Sequence, residues 1–205
     1  MNRLCYVVAG VFFLVLASCS SPGNVFEASG DVGDCKLPGS MQYDKSAGVY
    51  TLTGAGANMW GTADAFFMAW KQVSGDFTLS ARIAFEGEGV EPHRKMGLII
   101  RESLESDAVY ADVAVHGDGL ASLQYRPRKG AETGEFVSPG KAPGYVALQR
   151  TGNKITVKTA ADAFPADADA EVTIDLPATC YVGLFICSHN PEVTEAGRFS
   201  LVELH

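Results

Sequence analysis

Along most of the chain, apolar and polar residues alternate with a period of two. Phe77, Leu79, Ala81, Ile83 and Phe85 fall on one parity, and Thr78, Ser80, Arg82 and Ala84 on the other. That alternation predicts a strand with one face in a core and the other in water. Strand-like runs recur at 49–53, 66–71, 76–85, 96–102, 109–116 and 120–126, then at 145–150, 154–159, 171–176, 181–188 and 197–204. Ser74-Gly75-Asp76, Gly117-Asp118-Gly119 and Thr151-Gly152-Asn153 separate them as turns. Only 160–170 hints at a helical period, and Pro165 interrupts it. About a dozen strands with no helices between them predict one all-β domain, either two packed antiparallel sheets or a barrel. The lack of an internal repeat argues against a propeller.

Parity also sorts the chemistry. Around the turn at 117–119, Val113 and Val115 share a face with Leu123 and Tyr125 of the returning strand. The opposite parity carries Tyr110, Asp112 and His116, then Ser122, Gln124 and Arg126, so six hydrogen-bonding side chains are predicted on one sheet face. Arg101 shares parity with Gly97 and Ile99, opposite Leu98 and Ile100, and is expected on that same face. An arginine among apolar neighbours needs a partner or a ligand. Asp112 is the candidate partner; the reading favoured here is that Arg101 faces a ligand. Phe66, Met68 and Trp70 stand together, and Val182, Leu184 and Ile186 mark a core face.

The amino terminus adds an address. Asn2 and Arg3 precede an apolar run from Val7 to Leu16, too short to span a bilayer comfortably and suited to a signal-peptide core. The run ends in Leu16-Ala17-Ser18-Cys19, which resembles the bacterial lipobox, with cleavage before a cysteine that is then lipidated. The expectation is a signal peptide at 1–18, lipidated Cys19 with a tether over 19–30, and one domain at 31–205. Lipid on Cys19 would be the only membrane attachment, in the bacterial envelope, with Ser20 after the cysteine pointing to the outer membrane. The formal charge of −8 disfavours nucleic acid as a partner, because no stripe of Lys and Arg could neutralise phosphates. His93-Arg94-Lys95 is the most basic cluster and reads equally as a solvated turn or as a rim contact. Cys35, Cys180 and Cys187 remain after Cys5 and Cys19; their spacing fits no zinc knuckle and does not select a disulfide pair. Cys187, within an apolar strand, reads as a buried small hydrophobe.

Several strings carry a family resemblance: Gly54-Ala55-Gly56-Ala57-Asn58-Met59-Trp60, His93-Arg94-Lys95-Met96-Gly97, Tyr110-Ala111-Asp112, His116-Gly117-Asp118-Gly119, and Val182-Gly183-Leu184-Phe185 followed by Ser188-His189-Asn190-Pro191. In this order, from about Gly33 to Leu204, they resemble a largely uncharacterised bacterial family of concanavalin A-like domains. That family occurs as stand-alone secreted proteins and behind TolB-like β-propellers. The resemblance implies a jelly-roll sandwich whose concave sheet forms a groove, and little about function, since the fold hosts lectins, hydrolases and structural domains alike.

Sugar recognition needs flat aromatic surface and planar polar groups. The candidate ligand-binding set is Trp60, Trp70, Arg101, Tyr110, Asp112, His116, Gln124, Arg126 and His189. No cofactor or metal set is indicated, and a structural calcium near Asp31, Asp34 or Asp76 gains no support from the residues. Glu171 with Asp175, and Glu102 with Glu105, lack the spacing of a retaining glycosidase's acid pair. The sequence therefore favours a non-catalytic, envelope-anchored glycan-binding module. The alternatives are a glycoside-active enzyme, hydrolase or lyase, using Asp112, His116 and His189, and an envelope module that binds a protein partner.

Overall fold

A computed structural model describes residues 23–205. The signal segment at 1–18, Cys5, Cys19 and Ser20 to Pro22 lie outside the described residues. The described residues form sixteen strands: β1 (Ala28–Val32), β2 (Ser40–Asp44), β3 (Val49–Gly54), β4 (Met59–Trp60), β5 (Ala63–Asp64), β6 (Phe66–Ser74), β7 (Phe77–Glu86) and β8 (Lys95–Arg101), then β9 (Tyr110–His116), β10 (Ala121–Arg126), β11 (Gly134–Val137), β12 (Tyr145–Thr151), β13 (Lys154–Ala160), β14 (Ala170–Thr173), β15 (Thr179–Cys187) and β16 (Glu195–Leu204). They form two seven-stranded antiparallel sheets, β1-β6-β15-β8-β9-β10-β11 and β14-β13-β12-β7-β16-β3-β2, plus the small hairpin β4-β5. The architecture is the expected concanavalin A-like jelly-roll sandwich.

Period-two patterning explains the core. Phe77, Leu79, Ala81 and Ile83 of β7 turn inward, against Leu98 and Ile100 of β8, Val113 of β9, and Val182 and Leu184 of β15. Burying such side chains contributes roughly 1.5–3 kcal/mol each. The stretch 160–170 forms no helix, consistent with Pro165 having no N–H to give one. Part of the stretch that composition reads as tether packs on the sandwich: Phe26 is buried against Tyr50, and Ala28 to Gly30 pair with β6. Cys35, Cys180 and Cys187 are free thiols, Cys187 fully buried.

The outer face of the first sheet is not an open wet surface. β8 and β9 are buried along their whole length, on both faces. What covers the outer face is the segment from Ala55 to Ala65, which contains the β4-β5 hairpin. Its Met59 is buried with Phe66, Met68, Ile99, Tyr110 and Phe185 in a second apolar cluster. Gly56 fixes where this segment lies: at φ 139° it takes a backbone conformation that L side chains rarely adopt, and a Cβ there would sit 1.9 Å from the Ala65 carbonyl oxygen.

Asp64, at the end of the hairpin, pins the cover to the sheet. Its carboxylate accepts from Arg101 Nη1 at 2.8 Å and from Arg126 Nη1 and Nη2 at 2.8 and 2.7 Å. All three side chains are fully buried. The other guanidinium N–H groups donate to carbonyls of Ser103, Glu105, Ala131, Ser106, Ala108 and Gly61. Tyr110 lies near both guanidiniums, their central carbons 5.6 and 5.0 Å from its ring centroid. Arg101 therefore has a structural partner, and that partner is Asp64 rather than Asp112. The favoured ligand-facing role is corrected: parity places Arg101 on the right face, but the cover closes over it.

Removing one member of such a cluster leaves charge buried without compensation. Asp64→Ala is expected to destabilise the fold by about 3–5 kcal/mol, and Arg101→Leu by about 3 kcal/mol or more. Urea denaturation of both variants checks this. A change under about 1 kcal/mol for Asp64→Ala would show that the cluster does not hold the cover.

Candidate functional site

Beyond the edge of the cover, the same sheet face opens into a pocket of about 280 Å³, lined by Asn58, Trp60, His93, Lys95, His116, Leu120, Gln124, Glu135 and His189. Four residues of the sequence-derived set meet here: Trp60, His116, Gln124 and His189. The other five do not line it. Arg101, Arg126 and Tyr110 belong to the Asp64 cluster, the Tyr110 hydroxyl lying 3.3 Å from both the Met59 carbonyl and Thr133 Oγ1. Asp112 is fully buried beside Gln124. Trp70 packs edge-on against Tyr181 over Gly30, towards the β1 edge of the sheet.

Strand pairing explains the convergence. Lys95 of β8 pairs with His116 of β9, Asp112 of β9 with Gln124 of β10, and Gln124 with Glu135 of β11. Lys95, Gly97, Ile99 and Arg101 share one parity. Extending the Arg101 reading by three alternations would have found Lys95 in the sequence. Glu135 lies on a four-residue edge strand, too short to leave a readable pattern. Arg94 is neither a solvated turn residue nor a rim contact: it is buried, bound to Glu195 at 2.6 Å and stacked over Phe85. Its neighbours His93 and Lys95 line the pocket.

The polar groups are held in fixed directions. Asn58 Oδ1 accepts from the Met59 N–H and from Lys95 Nζ, each at 2.8 Å, which leaves the Asn58 amide hydrogens free to donate. Gln124 Nε2 lies 3.1 Å from Glu135 Oε1 and 3.3 Å from His116 Nε2, and its Oε1 lies 3.5 Å from Lys95 Nζ. A carboxylate only accepts, so the Gln124 nitrogen is the donor and His116 Nε2 accepts from it. The His116 proton is then on Nδ1, which is buried and has no partner.

Electrostatics follow burial. Desolvation, helped by the nearby Lys95 ammonium, pushes the His116 imidazole down to about 4. Burial likewise lowers Lys95 and His189. Burial holds the Asp112 carboxyl well above the usual carboxylate range, and its Oδ2 has no partner.

His189 enters the pocket at a conformational cost. Its φ is 58°, in the left-handed region, which costs a non-glycine residue roughly 1–2 kcal/mol. Ser188 Oγ lies 2.7 Å from the Asn190 carbonyl oxygen, and Asn190 Oδ1 caps the Glu192 N–H at 3.0 Å, the turn that Asn-Pro suggests. His93 links the other two rings, its centroid 6.0 Å from that of His116 and 5.6 Å from that of His189. Among the described residues, no group of three or more His, Cys, Asp or Glu side chains is arranged to hold a metal ion. The carboxylates of Asp31 and Asp76 instead accept the backbone N–H of Gly39 and Gly152.

No protein-family profile matches the chain, and no curated protein matches it. Solved structures do. A functionally unknown protein from Saccharomyces cerevisiae superposes with a TM-score of 0.62 at 16% identity, covering 81% of this chain and 91% of that one. An alginate lyase of polysaccharide lyase family 7 gives 0.54 at 9% identity, over 80% and 82%. Bacteroides ovatus xyloglucan PUL GH43B gives 0.50 at 15%, over 77% of this chain and 32% of that one. At these identities the likeness is one of fold.

The depressed His116 value makes stability depend on pH. The unfolded ring takes up a proton near 6.5, whereas the native ring resists until about 4. As pH falls through that window the unfolded state gains protons first, so stability drops. His116→Gln is expected to remove about 3 kcal/mol of that loss between pH 6.5 and 4. Denaturation midpoints at several pH values check it; parallel wild-type and variant curves would show that the ring titrates normally.

Proposed function

We propose that the chain is a glycan-binding module of the bacterial cell envelope, anchored through lipid on Cys19, and that its ligand site is the pocket around Lys95. Trp60 carries this reading. It is 42% exposed at the pocket, whereas Trp70, the other tryptophan, is largely packed away. The Lys95 ammonium lies 5.7 Å from the centre of the Trp60 ring and steadies it. An exposed indole beside fixed, directional polar groups suits a sugar, whose C–H face stacks while its hydroxyls bond. The alginate lyase among similar folds is in keeping with a carbohydrate ligand.

A second reading is catalytic, and the grouping of His93, His116 and His189 at one opening favours it, since imidazoles are the commonest acid–base groups; His116 itself, pushed down to about 4 and with Nε2 accepting from Gln124, would be a weak base. Against the hydrolase form, Glu135 is the one carboxylate among the residues lining the pocket, where a glycosidase of the usual kind needs two.

Isothermal titration against a panel of neutral and acidic oligosaccharides tests the proposal. Binding is expected, and Trp60→Ala is expected to weaken it about tenfold or more, equal to about 1.4 kcal/mol. His189→Gly should weaken binding too while keeping or raising the melting temperature, because it relieves the left-handed backbone. A folded protein that binds no member of the panel would sink the glycan reading. Depolymerisation that vanishes in His116→Ala would replace it with the catalytic one.

A further inference from the structure

The chemistry of the pocket narrows the class of glycan. Lys95 is 2% exposed yet lines the pocket. Its Nζ touches only neutral amide oxygens, Asn58 Oδ1 at 2.8 Å and Gln124 Oε1 at 3.5 Å. Among the described residues, no carboxylate oxygen pairs with it directly. Four titratable groups of opposite sign act on it through space: Asp64 of β5, Asp112 of β9, Glu135 of β11 and Cys187 of β15. Asp64 is already bound by two guanidiniums, Cys187 is a buried thiol, and Glu135 accepts from Gln124. Asp112, whose carboxyl burial holds well above the usual carboxylate range, accepts the Gln124 backbone N–H and makes no direct bond to Lys95. A buried ammonium without a direct counter-ion is costly, and an incoming anion would lower that cost.

The other directional groups agree. Asn58 has amide hydrogens left to give. The His116 tautomer fixed by Gln124 puts an N–H on Nδ1, buried and without a partner. His93 and His189 stand at the same opening. Lys95 Nζ, the Asn58 amide and His116 Nδ1 are all donors, and Glu135, the one carboxylate lining the pocket, is turned to Gln124, so the group that completes the site is an acceptor bearing negative charge.

Resting on the glycan reading, we infer that this pocket takes a sugar acid: the uronate carboxylate meets Lys95 Nζ and the Asn58 amide, and the ring stacks on Trp60. The contact is non-covalent, and both partners keep their charges.

Titration of the full chain with trigalacturonate and trimannuronate, with the methyl esters of both, with neutral cellotriose and with the acidic peptide triglutamate separates the alternatives. At least one uronate trimer is expected to bind, with its methyl ester weaker by about tenfold or more, as loss of a charge-assisted hydrogen bond predicts. Lys95→Met should abolish the preference for acid over ester. The ester comparison on the unaltered chain stands by itself should that variant fail to fold. Esters or cellotriose binding as tightly as the acids would overturn the inference and leave the glycan reading intact. Triglutamate binding as tightly as the uronates would also overturn it, by showing a site for carboxylates in general. No binding by any acidic or neutral sugar would remove both.

Discussion

The carboxylate of Asp64 sits fully buried between two guanidiniums, and much of the molecule is arranged around that fact. Two positive charges share one negative charge, so the arrangement is tolerable only because backbone carbonyls from the surrounding loops receive the remaining N–H groups. Those loops are thereby held in place as well. The 102–108 loop is drawn onto the face through Ser103, Glu105, Ser106 and Ala108, and the β4-β5 hairpin through Asp64 itself and Gly61. With the hairpin fixed, Asn58 and Trp60 are fixed, and the pocket has its wall.

The sheet face beneath is divided along its length. At one end, arginine, tyrosine and aspartate are matched and sealed. In the middle, Gly97 and Ala114 alternate with Met68, Ile99 and Phe185 in a dry cluster. At the other end, lysine, glutamine and three histidines reach an opening with hydrogen-bonding capacity left over. Polar residues on one parity thus do two different jobs, and what separates them is the length of the cover. Burial also holds His116 and His189 below the usual imidazole range.

Most of this face was legible in the chain, because a two-residue period is hard to imitate by chance. Tyr110, Asp112 and His116 do lie on the side opposite Val113 and Val115, and Gln124 and Arg126 join them from the next strand. The cover was not legible. β4 and β5 are two residues each, shorter than any pattern, and Asp64 reaches its arginines across 37 and 62 positions of sequence. Parity tells which way a side chain points and says nothing of what lies over it. Hence Arg101 and Arg126 read as groove residues although they are sealed, while Lys95, hidden in what looked like a basic turn, and Glu135, on a short edge strand, went unassigned.

Glu135 has a further significance, since β11 pairs only with β10 and forms the margin of its sheet. Its carboxylate is what orients the Gln124 amide, and that amide in turn settles which nitrogen of His116 carries the proton. The pocket's pattern of donors and acceptors is therefore written from the periphery inward, through three side chains on three strands. Fraying of a four-residue margin would free the amide to turn over, present its oxygen to His116 and move the ring proton to the other nitrogen. The hydrogen-bonding pattern of the pocket thus depends on the shortest strand of its sheet.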